Sequence, residues 1–388
     1  MNPTEQSNTS SSVQLSADRQ EQARRYARLK RYLLLADLGL GAAYLIVALL
    51  SGFSAWLGTR AQALAPAPAG TVAVYTVAFF GVYLLLAMPL NFVGGYVWPH
   101  RFGLSTQSLG AWAWDQVKGL LIGAALVLIF MEVLYALLRA SPDWWWLWMG
   151  LFYLLFVVLM ANLAPIILLP IFYKLVPLAD TDLVARLTEL ARRANARVNG
   201  VYTMNLSAKT TTANAALMGL GNTRRIVLGD TLLKDYSADE IETVLAHELG
   251  HHVHGDVGKG ILTETVLMLG GLWLASLALD QATATLGFQG LADVAALPVL
   301  GLVLGAFLLV VMPLTSTYSR WRERMADRYA LAMTHNPSAF ASAMTRLANQ
   351  NLAEADPPRW VEIMLYSHPA ISRRLAMAHA FEATGKPD

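Results

Sequence analysis

Six runs of mostly apolar residues constrain this chain more than anything else in it. They extend roughly from Tyr32 to Phe53, Val72 to Val97, Leu120 to Leu138, Trp144 to Phe172, Ile261 to Leu279 and Ala295 to Thr315. Each approaches or exceeds the about 20 residues that a helix needs to cross a bilayer, where every backbone N–H and C=O must be paired inside the segment. The composition agrees, with 55% hydrophobic and 14% charged residues, against about 45–50% and about 25% in soluble domains. The WWWLW cluster from Trp144 reads as an interfacial aromatic belt, and Pro165 and Pro170 are expected to kink the fourth run rather than end it. The expected fold class is therefore a mainly α, polytopic membrane protein with about six transmembrane helices.

Lysine and arginine placement orients it. Arg19, Arg24, Arg25, Arg28, Lys30 and Arg31 precede the first run, Arg60 stands alone after it, and the loop after the fifth run has none. By the positive-inside rule the N-terminus is expected in the cytoplasm. Six crossings return the C-terminus there, where Arg320, Arg322 and Arg324 follow the last run. The opening MNPTEQSNTS reads as a disordered tail and not as a signal peptide. The net charge of +2 is too small to suggest nucleic acid. With no cysteine, any transition-metal site must use histidine and carboxylate.

The long polar interruption, about Val176 to Gly258, reads as a helix through TDLVARLTELARRANA, strand-like VNGVYTMNL, NAALMGL and RRIVLGD, then another helix. That is a small α+β domain inserted between membrane spans. The expected organisation is a cytoplasmic tail over 1–31, four spans over 32–175, the cytoplasmic domain over 176–260, two spans over 261–315 and a helical region over 316–388.

The last helix of the inserted domain opens on a capping-box pair, Ser237 and Glu240, and ends in HELGHH. His247 and His251 stand at i and i+4, so both imidazoles can reach one ion, while Glu248 is rotated toward a water beside it. A catalytic zinc needs three protein ligands and an open position. The candidate third is in SRWRERMADRYA after the sixth run, where Glu323 can bind metal and Asp327, four residues on, can orient a ligand imidazole. Two spans separate His251 from Glu323, which returns both to one membrane face; an odd number would forbid the site. The alternative for Glu323 is charge balance among the neighbouring arginines.

HELGHH, SRWRERMADRYA, NAALMGLGNTRRIVLGDTLL and SHPAISRRL, with HRFGLSTQSLGAWAWDQVKG and LLPIFYKLVPL, resemble the membrane-embedded zinc metalloproteases of the CAAX prenyl protease 1 type. The resemblance covers about Asn91 to the C-terminus. It implies one zinc on His247, His251 and Glu323, Glu248 as base, Asp327 behind the ligands, and membrane helices enclosing a chamber. It further implies that Asn214 and Ala215 hold substrate in an extended conformation, that His368 faces the tetrahedral oxyanion, and that Arg373 contributes to substrate binding. Taken alone, His368 in His-Pro could instead cap a helix. Two departures stand out: the eukaryotic members usually have seven spans, and Thr212 occupies a position where they carry histidine.

The expected function is a membrane-embedded zinc endopeptidase acting on peptide or protein substrates, with or without a C-terminal prenyl group, in a lipid bilayer. A bacterial inner membrane is expected rather than the endoplasmic reticulum, with the active site on the cytoplasmic side. The alternatives are a quality-control protease without prenyl specificity and a non-enzymatic transporter or scaffold; the latter tends to show internal repeats, of which none is evident. Asp37, Glu132 and Glu264, within or near the spans, are candidates to line an internal chamber.

Overall fold

The computed structural model describes residues 14–219 and 221–385; the MNPTEQSNTS tail lies outside them. Helix α1 (Ala17–Leu50) is followed by the short α2 (Phe53–Leu64), then by α3 (Pro68–Phe92), which runs through a π-turn into α4 (Trp98–Arg101). Next come α5 (Leu109–Ala140) and α6 (Trp145–Leu163), the latter passing through a second π-turn into α7 (Leu169–Phe172). The second π-turn begins at Ala164 and carries Pro165. The proline ring cannot donate a hydrogen bond and crowds the preceding turn, and the widened turn absorbs it without ending the helix.

After the fourth span come β1 (Leu175–Pro177), α8 (Thr181–Arg193), β2 (Val201–Met204), β3 (Ala215–Met218), β4 (Arg225–Gly229) and α9 (Asp230–Asp235). Helix α10 (Ala238–Val253) leads into α11 (Asp256–Leu286), α12 (Leu297–Thr334), α13 (Pro337–Gln350), α14 (Arg359–Leu365) and α15 (Ile371–Thr384). Six helical segments among the described residues are long and apolar enough to cross a membrane, matching the six runs read from the sequence.

Two of these helices carry their excess length onto the polar domain. Helix α12 has 38 residues, or about 57 Å at about 1.5 Å per residue, against a hydrocarbon core of about 30 Å. Its charged second half therefore stands outside the membrane, packed on the polar domain. Helix α1 has 34 residues and does the same at its N-terminal end. Residues 17–31, expected as part of a tail, are the first turns of α1, capped by Ser16 and uninterrupted by proline. They dock on the last turn of α13 and the segment after it: Arg19 Nε donates to Asn349 O at 2.9 Å and Arg31 pairs with Glu354 at 3.1 Å.

The sheet runs β1-β2-β4-β3. Strands β2 and β4 are parallel; the outer pairings are antiparallel. Strand β3 is thus an edge, as NAALMGL requires if it is to add another strand. Strand β1, three residues ending in proline, has too little alternation to be read from sequence. Leu187, Leu190, Ile226, Leu228, Leu245, Leu249, Leu331 and Phe340 form the core of the polar domain, so α12 and α13 are as much part of it as α8 and α10.

Candidate metal centre

Helix α10 starts at the predicted capping box, in which Ser237 accepts from the Glu240 N–H and Glu240 accepts from that of Ser237. Its contact with α12 turns on Gly250, where a Cβ would stand 2.9 Å from the Ala326 Cα. Only glycine permits so close an approach. Glu323 and Asp327 flank Ala326 on α12 and are thereby brought against His247 and His251.

Five contacts define the cluster. The two Nε2 atoms are 3.2 Å apart; Glu323 Oε2 is 3.3 Å from that of His247 and Oε1 is 3.4 Å from that of His251. His247 Nδ1 lies 2.8 Å from Asp327 Oδ1, and His251 Nδ1 lies 2.7 Å from Asp256 Oδ2. A carboxylate can only accept, so each Nδ1 donates to its own carboxylate, which leaves Nε2 as the nitrogen that offers a lone pair once it is deprotonated. Glu323 Oε2 is buried with no hydrogen-bond donor among the described residues. Three electron-pair donors therefore converge on one point, an arrangement that a cation stabilises. Donors about 2.0–2.1 Å from a tetrahedral zinc are about 3.3 Å apart, which is the spacing found here.

The supports continue outward. Asp327, fully buried, receives Arg374 Nε at 2.9 Å and Nη2 at 2.6 Å. Burial works against charging the His247 ring, but Asp327 and Glu323 outweigh it and carry its pKa to about 9. Burial also pushes the Glu248 carboxyl up, with the His247 and His251 charges opposing. Glu248 lines a cavity of about 720 Å³ together with Asn214, Ala215, His247, His368 and Arg374.

His368 lies between α14 and α15, with its Nε2 3.3 Å from Glu323 Oε1. It caps nothing: α15 is capped at Ala370, without a side-chain bond. Its segment is clasped from both sides. Arg320, one turn before Glu323, donates to the carbonyls of Glu362 and Tyr366 at 2.5 and 2.7 Å, while Glu362 accepts from the Ala370 N–H.

Arg373 is not brought to the site. Its side chain is 61% exposed and pairs with Glu362 at 2.7 Å. The buried residues of α15 are Arg374, Ala378 and Phe381, spaced at i, i+4 and i+7, so the inward face takes Arg374 and turns its neighbour away. Asp256 and Arg374 both escaped the sequence reading. The first had a signal, since Gly255 at φ 68° reverses the chain after the HELGHH helix and returns the next residue to His251; the second had only this helical period.

A multi-pass helical membrane protein that sets an HExxH helix against a carboxylate-bearing helix belongs, by fold and site, to the membrane metallopeptidases. The comparisons narrow the class. The chain belongs to peptidase family M48: residues 177–382 match that family, and residues 5–174 match the CAAX prenyl protease N-terminal family, described as five membrane helices. It is 30% identical over 365 residues to the uncharacterized metalloprotease YhfN of Bacillus subtilis, covering 93% of this chain and 85% of that one. It is 26% identical over 313 residues to CAAX prenyl protease 1 of Saccharomyces cerevisiae, covering 75% and 68%. The crystal structure of S. mikatae Ste24p superposes with a TM-score of 0.81 over 93% of this chain and 88% of the other, at 22% identity, a shared fold. The protein is a membrane metallopeptidase acting on peptide or protein substrates; the transporter or scaffold reading is not favoured.

Proposed function

We propose that the protein is a zinc-dependent endopeptidase with one zinc per chain on His247, His251 and Glu323. The observation that carries this is the convergence of three lone-pair donors at 3.2–3.4 Å with both histidine tautomers locked by carboxylates. When bound, the ion would supply Lewis acidity toward the scissile carbonyl and a water whose pKa falls toward about 7. Glu248, beside the cluster in the same cavity, would take a proton from the attacking water and return it to the leaving amine. Asp327, held by Arg374, fixes the His247 tautomer. His368 donates to the oxygen that gains charge in the transition state. Ala215 on the edge strand holds the peptide extended by strand addition, and the exposed side chain of Asn214 beside it contacts the peptide.

The yeast relative's name makes a prenylated C-terminus one candidate substrate, and turnover of unmodified membrane proteins the other. Purified protein incubated with farnesylated and unmodified peptides, with mass spectrometry of the products, separates them: selective cleavage of the farnesylated set supports the first, equal cleavage the second. Cleavage of neither by zinc-loaded protein would sink the peptidase reading. We place the polar domain in the cytoplasm, on the strength of the arginines flanking the first and last spans. Single cysteines at Asn199, Ala65 and Gln289 test this with an impermeant thiol reagent on intact cells: labelling is expected at the last two, and labelling at Asn199 contradicts the orientation.

A further inference from the structure

The edge strand is already occupied at one end. Gly229 N donates to Asn214 O at 2.9 Å, so the backbone groups of Asn214 face β4. Because N–H and C=O directions alternate along an antiparallel strand, those of Ala213, Ala215 and Leu217 face the open edge. At Ala213 both are taken by one side chain: Asn351 Oδ1 accepts from the Ala213 N–H at 2.9 Å, and Asn351 Nδ2 donates to its carbonyl at 3.0 Å. Gln350 Nε2 likewise donates to Thr211 O at 2.8 Å. Two side-chain amides thus imitate a neighbouring strand as far as Ala213, and the first outward backbone pair beyond them belongs to Ala215.

The segment bearing Asn351 is firmly fixed. Leu352 adopts φ 50°, a left-handed conformation that a leucine holds only when its surroundings impose it. It is buried against Ala23 of α1 and Leu104, with Tyr26 and Phe102 packed on the same cluster. Gln20 of α1 grips the chain on either side of Glu354, donating to Ala353 O at 3.2 Å and accepting from the Ala355 N–H at 2.9 Å. Asn351 and Asn214 both line the cavity that holds His247 and Glu248.

We propose that Asn351 is the end-stop of the substrate groove and sets specificity for length: a peptide pairs with β3 from Ala215 onward and stops pairing at Ala213, so recognition is bounded on one side of the scissile bond. This rests on the reading of β3 as the peptide-binding edge. It also gives the first turns of α1 a task, that of bracing the stop.

The test uses nested peptides extended one residue at a time on either side of a mapped cleavage site. With the parent protein, extension on one side improves kcat/KM steadily, whereas on the other the gain ends abruptly. Asn351→Ala frees the Ala213 pair, so peptides two residues longer on the bounded side gain about tenfold through KM, the worth of two backbone hydrogen bonds. Zinc content is expected to stay at the parent level. General damage cannot produce a gain confined to longer peptides. Equal gains on both sides in the parent, or a folded, zinc-loaded variant with no length-dependent gain, would overturn the end-stop. A variant that fails to fold leaves the parent ladder to decide. Absence of cleavage of every peptide by the zinc-loaded parent would remove the peptidase reading beneath it.

Discussion

The candidate metal cluster reaches, through His247, the cavity that the edge strand lines, but the two are built in opposite ways. Each ligand histidine has a second, outer carboxylate: His247 leans on Asp327, itself gripped twice by Arg374, and His251 leans on Asp256. These groups come from α10, α11, α12 and α15, so the cluster ties four helices together and is buried or nearly so. Asn214, by contrast, is exposed, and its strand carries one side unpaired in the sheet. A centre that must place charge has to be rigid, whereas a surface that receives a peptide must leave hydrogen-bonding groups to be satisfied by the substrate.

The sharpest break in that comparison is Glu248→Gln. It removes a proton acceptor and keeps shape and hydrogen bonding, so kcat is expected to fall by about 10²–10⁴-fold. Zinc content should stay at the parent level, since Glu248 is no ligand; a Gln variant with normal turnover would take the base role away from it.

The next effect separates the cavity's two walls. His368→Ala is expected to lower kcat by about 10²–10³-fold with KM little changed, as for an oxyanion donor. Asn214→Ala should raise KM as well, because it removes binding already present in the ground state. Loss of zinc in the His368 variant would make that residue a ligand or a support, and an unchanged kcat would leave it without a catalytic role.

The convergence of His247, His251 and Glu323 was legible in the sequence because helical spacing and the parity of membrane crossings are local or countable. His247 and His251 needed only the i, i+4 rule, and Glu323 needed two spans and a charged helix. Strand β3 was legible as an edge only through resemblance. Arg374 and Asn351 were not legible, because their meaning lies in contacts across 47 residues to Asp327 and across 138 residues to Ala213. Arg373 shows the cost of reading α15 without its buried face: resemblance supplied the motif, but one residue of rotation decided which arginine turned inward.

That rotation yields the smallest effects and a clean contrast. Arg374→Met strips Asp327 of its buried partner and is expected to weaken zinc affinity by about 10–100-fold, the cost of disturbing the groups behind metal ligands. Arg373→Met removes a largely exposed ion pair and should change kcat/KM by no more than a factor of about five. Competition with a zinc-specific chelator measures the first and steady-state kinetics the second; equal losses in both variants would erase the distinction between the inner and outer faces of α15.

Whether Glu323 completes a three-ligand site with His247 and His251 is tested most directly by metal analysis of purified parent and Glu323→Ala protein. About one zinc per chain is expected in the parent, with loss of both zinc and proteolysis in the variant. A variant that keeps its zinc, or a parent that cleaves peptide with no metal bound, would contradict it.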